Sequence, residues 1–121
     1  MDILVVDDDQ LAGEMTTAVL EDCGYRVFQA ENAIEGMQVL NQQPGIELII
    51  SDLNMPLING IEFYQELCEQ GYELPFILLT GDDPEAVLAE EPRLSACVMK
   101  DFTIQDSLPA AINAVMSVRP L

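Results

Sequence analysis

The sequence has no histidine and no tryptophan, only four basic residues, and three cysteines without a Cys-x-x-Cys spacing. An odd set of cysteines so placed (Cys23, Cys68 and Cys97) argues against a disulfide framework, and the missing histidines argue further against a zinc site. Reduced thiols in a cytoplasmic protein are the expectation. The basic residues are Arg26, Arg93, Lys100 and Arg119, against 22 acidic ones, for a net charge of −18. Nucleic-acid phosphates and anionic membranes are repelled by such a chain, so direct nucleic-acid binding is not expected. Cations and basic protein surfaces are favoured, although the same charge also serves as a plain soluble surface. No apolar run approaches the ~20 residues of a membrane span, and no basic stretch precedes a long apolar one at the N-terminus. Neither a membrane segment nor a secretion signal is expected.

What is present suits one globular domain. The 121 residues are half apolar and a fifth charged, enough to bury a core without staples, and one domain over 1–121 with no output domain is the expectation. Ile3 to Val6, Ile46 to Ile50 and Phe76 to Leu79 are short apolar runs of the kind buried on both faces of a parallel sheet, with Ala96 to Met99 a weaker fourth. Tyr25 to Ala30 mixes polar and apolar residues, as an edge strand does, and Pro75 opens a strand.

Between the runs lie apolar residues at helical spacing: Leu11, Met15, Ala18 and Val19; Ala33, Met37 and Leu40; Ile61, Tyr64, Leu67 and Cys68; Ile104, Leu108, Ala111, Ile112 and Val115. Met15, Met37 and Met55 read as packing residues. Asn32-x-x-Glu35, Asn59-x-x-Glu62 and Thr103-x-x-Asp106 each place a capping acceptor before a helix and an acid three residues on, and Asp83-Pro84 marks another start. With Pro84 and Pro92 inside 82–95, that fourth helix spans about two turns. Strand and helix alternate five times, which predicts an α/β fold: a (βα)5 doubly wound three-layer sandwich on a five-stranded parallel sheet. Ligands of such sheets sit beyond the carboxyl ends of the strands.

That rim collects the polar chemistry. Asp7, Asp8 and Asp9 end the first apolar run, Asp52 the third, Thr80 the fourth and Lys100 the fifth. Converging carboxylates raise one another's pKa, a cost that calls for a bound cation. Mg²⁺, an oxygen-seeking ion that uses one or two carboxylates with phosphate oxygens, suits the set, and Mn²⁺ is an acceptable substitute. Lys100, the only lysine, would offset the acids and bind a phosphoryl group.

The order Asp7-Asp8, Ser51-Asp52-Leu53-Asn54-Met55-Pro56 with Gly60, Leu79-Thr80-Gly81 and Val98-Met99-Lys100 resembles the receiver domains of response regulators, the CheY-like superfamily, over nearly the whole chain. The resemblance implies the flavodoxin-like strand order 2-1-3-4-5. It also implies a phosphoacceptor of a two-component phosphorelay, with Asp52 the nucleophile toward a phosphohistidine on a histidine kinase or histidine phosphotransfer protein. Asp8, Asp52 and the backbone carbonyl of Asn54 would ligate Mg²⁺, Asp7 would act through water, and Lys100 and Thr80 would bind phosphoryl oxygens. Gly81 would leave room for the group, and Asn54 and Asp82 would set the phosphate lifetime. Such a domain catalyses only its own phosphorylation and dephosphorylation. It signals through the face of the fourth helix, fifth strand and fifth helix, and an unphosphorylated monomer is expected at this charge.

Two positions depart from the resemblance. Cys97 stands where an aromatic switch residue is usual, and it reads as a small core residue rather than a redox sensor. Asp101 stands where a cis proline is usual; a non-proline cis bond costs roughly 2.5 to 4 kcal/mol, so a trans bond is expected. Asp101 then either weakens the hold of Lys100 on phosphate or points to solvent. Asp9 is either a third metal-site acid or an acid welcomed in a helix's first turn. Two other functions fit less fully: a degenerate receiver that binds partners without phosphorylation, and a haloacid-dehalogenase-like phosphohydrolase using Asp7. Leu11 stands where the latter motif has threonine or valine.

Overall fold

The computed structural model describes residues 1–117; the sequence ending Arg119-Pro120-Leu121 lies outside the described residues. Five strands alternate with five helices: β1 (Asp2–Val6), α1 (Gln10–Asp22), β2 (Arg26–Ala30), α2 (Ala33–Gln42), β3 (Ile46–Asp52), α3 (Gly60–Glu69), β4 (Phe76–Thr80), α4 (Pro84–Glu90), β5 (Ala96–Met99) and α5 (Ile104–Ser117). All pairings are parallel and the sheet order is β2-β1-β3-β4-β5, the flavodoxin-like α/β arrangement.

Side chains of a strand alternate between faces, and the core divides accordingly. Leu4, Val6, Ile49, Phe76 and Leu78 pack under α2, α3 and α4, through residues such as Leu40, Phe63 and Val87. Ile3, Val5, Leu48, Ile50, Ile77 and Leu79 pack under α1 and α5, through Leu20, Leu108 and Ile112. Each fully buried aliphatic side chain contributes about 1.5–3 kcal/mol, so the sheet is the stable frame from which the loops project. The register pairs Val6 with Ser51, Asp52 with Leu79 and Thr80 with Met99. Asp7, Asp52, Thr80 and Lys100 therefore come to one rim.

The Asn32 side chain accepts from the Glu35 amide, and Asn59 and Glu62 form a reciprocal capping box. Two local expectations are corrected. Thr103 does not cap α5 with its side chain: its hydroxyl donates to Asp101, and only its carbonyl enters the helix, accepting from Ser107. On α1, Leu11 and Met15 do not face the core but are 67% and 59% exposed, while Gly13, Thr16, Thr17 and Leu20 are buried. Small and β-branched residues let α1 lie close to the sheet, and the apolar stripe is left facing outward.

Candidate phosphoacceptor site

Asp7 follows β1 and is buried; its Oδ1 accepts from the Asp9 amide at 2.9 Å and its Oδ2 from Lys100 Nζ at 2.8 Å. Lys100 Nζ also lies 3.4 Å from Asp52 Oδ2. One carboxylate oxygen each from Asp7, Asp8 and Asp52 falls within 4.8 Å of the others, with Asp8 exposed and the other two buried. Oxygen donors that converge this closely, with one face open at Asp8, match the needs of a hard divalent cation. Burial is the main force raising the Asp52 pKa above the ordinary carboxylate value; the negative charges of Asp7 and Asp8 add to it, and Lys100 opposes it. For Lys100, burial pulls downward, but the hydrogen bond to Asp7 and the charges of Asp52 and Asp7 outweigh it and hold the ammonium above the usual lysine value.

Backbone packing fixes the Asp52 carbonyl. Ser51, fully buried, donates its hydroxyl to that oxygen at 3.0 Å, and the Gly60 amide donates to Leu53 O at 2.8 Å. A Cβ on Gly60 would stand 2.5 Å from both Asp52 O and Leu78 Cδ1, so only glycine lets α3 start this close to the acidic strand end. Asn54 lies exposed in the following loop, where Leu57 adopts a left-handed φ of 73°. A non-glycine residue holds that conformation at a cost of about 1–2 kcal/mol.

Thr80 is fully buried at the end of β4; its Oγ1 accepts from the Asp82 amide at 3.0 Å, and its carbonyl accepts from the Lys100 amide at 2.7 Å. Open space lies around the Cα of Gly81, and Asp82 is exposed. Cys97 is half-buried against the core beneath α3 and α4, and burial pushes its thiol up to about 11, in keeping with a packing residue.

Asp9 caps α1, its side chain accepting from the Ala12 amide, which accounts for this acid without a metal. No cis peptide bond occurs among the described residues. Asp101 turns toward α5, accepting from the Thr103 amide and hydroxyl, and those hydrogen bonds hold its carboxyl below the ordinary value. Asp101 is exposed to solvent, and Phe102 beside it is 94% exposed. Met15, Phe102 and Ile104 line an open groove of about 580 Å³ between α1 and α5 next to the acidic rim. Sequence reasoning missed this groove, the Ser51 hydroxyl, and a buried Glu91 held by Arg93 and Gln65. Only Ser51 left a signal, as a polar residue in an otherwise apolar strand.

Residues 3–113 match the response regulator receiver domain family. The CpxR homolog of Haemophilus influenzae, a transcriptional regulatory protein, is 34% identical over 94% of this chain, which spans about half (49%) of that protein's length. A chemotaxis protein CheY homolog of Campylobacter jejuni is 31% identical over 87% of this chain and 85% of its own length. Among solved structures, the response regulator TrrA of Thermotoga maritima, in complex with Mg²⁺ and BeF, superposes with a TM-score of 0.83 at 28% identity, covering 94% of this chain and 97% of that one. No helix among the described residues is long and apolar enough to cross a membrane.

Proposed function

Because the chain belongs to the response regulator receiver domains, we propose that it accepts a phosphoryl group on Asp52 from a phosphohistidine of a kinase or phosphotransfer protein, with Mg²⁺ beside it. The observation that carries this reading is the convergence of Asp7, Asp8 and Asp52 on one small volume, with Lys100 Nζ touching two of them. Three acids and one lysine leave the site electrically incomplete, and a cation with a phosphoryl group completes it.

An Asp52 carboxylate oxygen attacks phosphorus as the bond to the donor imidazole breaks, its electron pair returning to that nitrogen. Water later cleaves the acyl phosphate, releasing inorganic phosphate and restoring the carboxylate. Asp8, Asp52 and the Asn54 carbonyl would hold Mg²⁺, with Asp7 through water; when bound, the ion supplies positive charge beside the transferring oxygens. Lys100 leaves its contact with Asp52 to bind a phosphoryl oxygen, and Thr80 turns its hydroxyl from the Asp82 amide to another. The protein is thus a signalling phosphoacceptor rather than an enzyme acting on a separate substrate. Asn54 and Asp82, exposed beside the site, govern water access and phosphate lifetime.

The donor is a protein. Leu11, Met15 and Phe102 expose apolar surface next to the rim, which suits a large partner better than a small molecule. The output passes to a second protein through α4, β5 and α5, in the cytoplasm.

Incubation with acetyl phosphate, with and without Mg²⁺, tests the reading by intact mass. A phosphoryl adduct that needs Mg²⁺ and disappears in Asp52→Asn is expected. An adduct that survives in Asp52→Asn and is lost in Asp7→Asn would replace it with the phosphohydrolase reading. No adduct on the parent, with Mg²⁺ binding intact, would favour a binding module.

A further inference from the structure

α4 is only seven residues long, and Val87 is the one residue in it that is fully buried. Its two ends are held very differently. At the start, the Thr80 carbonyl accepts from the Lys100 amide, and beyond it residues 81–83 are held only locally, by the Asp82 amide to Thr80 Oγ1 bond, the Asp83 cap on Glu85 and the Val87 amide to Asp83 carbonyl bond. At the end, Glu91 is 4% exposed and its carboxylate takes four donors: Arg93 Nε at 3.0 Å, Arg93 Nη2 at 2.8 Å, the Arg93 amide at 3.3 Å and Gln65 Nε2 of α3 at 3.2 Å.

The Arg93 carbonyl in turn accepts from the Tyr64 hydroxyl of α3 at 3.1 Å, and the guanidinium lies over the Tyr64 ring at 5.6 Å. Two further bonds join Ser95 to Phe76: the Ser95 amide donates to Phe76 O, and Ser95 Oγ accepts from the Phe76 amide. Residues 91–95 are thereby fastened to α3 and β4. Position 97, next along, holds a cysteine too small to change packing by turning in or out.

We infer that Glu91, Arg93, Gln65 and Tyr64 form a clasp about which α4 pivots, so that movement of Thr80 displaces residues 81–90 and stops before β5. This rests on the phosphoacceptor reading and narrows its output surface to the loop after β4 and the first turns of α4. Asp82, Asp83 and Glu85 there present acids to a basic partner. The Glu91 pair belongs to neither the acidic rim nor the hydrophobic core, and a buried carboxylate held by an arginine that is itself 58% exposed is otherwise a costly way to end a short helix. The four residues are positioning residues and touch no phosphoryl group.

The test is amide hydrogen exchange of the full chain, free and with Mg²⁺ and BeF₃⁻, on the parent, Arg93→Ala and Glu91→Gln. Each peptide's bound-to-free exchange ratio is compared with those of β1 and β3, which removes any general loss of stability. In the parent, residues 82–90 should change by roughly tenfold while 92–99 stay unchanged; in both variants the change should spread into 92–99. Identical, confined responses in parent and variants would overturn the clasp alone, as would a parent response that already reaches β5. No response anywhere in the parent, with no Mg²⁺-dependent mass adduct, would overturn the phosphoacceptor reading and the clasp with it.

Discussion

Replacing Asp52 by Asn should make the Mg²⁺-free protein more stable. Two unit charges 4.8 Å apart at an effective permittivity of 20 repel by about 3.5 kcal/mol, and Asp52 faces two other acids within that distance. Lys100 at 3.4 Å returns about 5 kcal/mol on the same scale. Asp8 is exposed and a quarter of the Lys100 side chain is exposed (25%), so each contribution is reduced by solvent. With the burial of Asp52 added, a net cost of about 1–2 kcal/mol remains at neutral pH. Its removal should raise the melting temperature by about 3–6 °C in chelator-treated buffer.

The sign of the pH dependence follows from the raised carboxyl. Folding opposes ionisation of Asp52, so the cost is present at neutral pH, shrinks as pH falls through the folded value and is gone below the unfolded value of 3.8. The advantage of Asp52→Asn should fade over the same window. Mg²⁺ should reverse the order, because a ligand at a hundredfold its dissociation constant stabilises by about 2.7 kcal/mol and the variant lacks one of the carboxylates proposed to hold the ion. Calorimetry of both proteins with and without Mg²⁺ measures all of this. A variant that melts at or below the parent without Mg²⁺, or gains as much from Mg²⁺, refutes the reasoning.

Lys100→Met should lose about 1–3 kcal/mol in urea unfolding, less than a fully buried pair because of its partial exposure, and should recover part of that in Mg²⁺. Its rate of phosphorylation should fall by at least about a hundredfold. Gly60→Ala should cost about 1–3 kcal/mol in the same assay, since the new Cβ meets the Asp52 carbonyl and Leu78 at 2.5 Å. The bonds to Arg93 hold the Glu91 carboxyl down to about 2 from 4.5, so its contribution is intact above 4.5 and lost as pH falls toward 2. The stability of Arg93→Ala should therefore change less with pH over that window than the parent's.

Strands, helices and the polar rim were legible because each rests on local pattern. Apolar runs end in Asp7, Asp52, Thr80 and Lys100, and parallel order alone brings run ends together. Asn32 and Asn59 announced their caps through short-range spacing. Which face of α1 packs was not legible: Leu11 and Met15 follow the helical period perfectly well, yet the sheet accepts the smaller Gly13, Thr16 and Thr17 face. Thr103 looked like a cap, but the Asp101 carboxylate two residues upstream takes its hydroxyl. The Glu91 clasp joins residues 26 positions apart and has no local signature.

The most direct test of the central claim is to locate the phosphoryl group. After reaction with acetyl phosphate and Mg²⁺, borohydride reduction of the acyl phosphate followed by peptide sequencing in a mass spectrometer identifies the modified carboxylate. Conversion at Asp52, with Asp7, Asp8 and Asp9 untouched, is the predicted result. Conversion at Asp7 with Asp52 intact would contradict it.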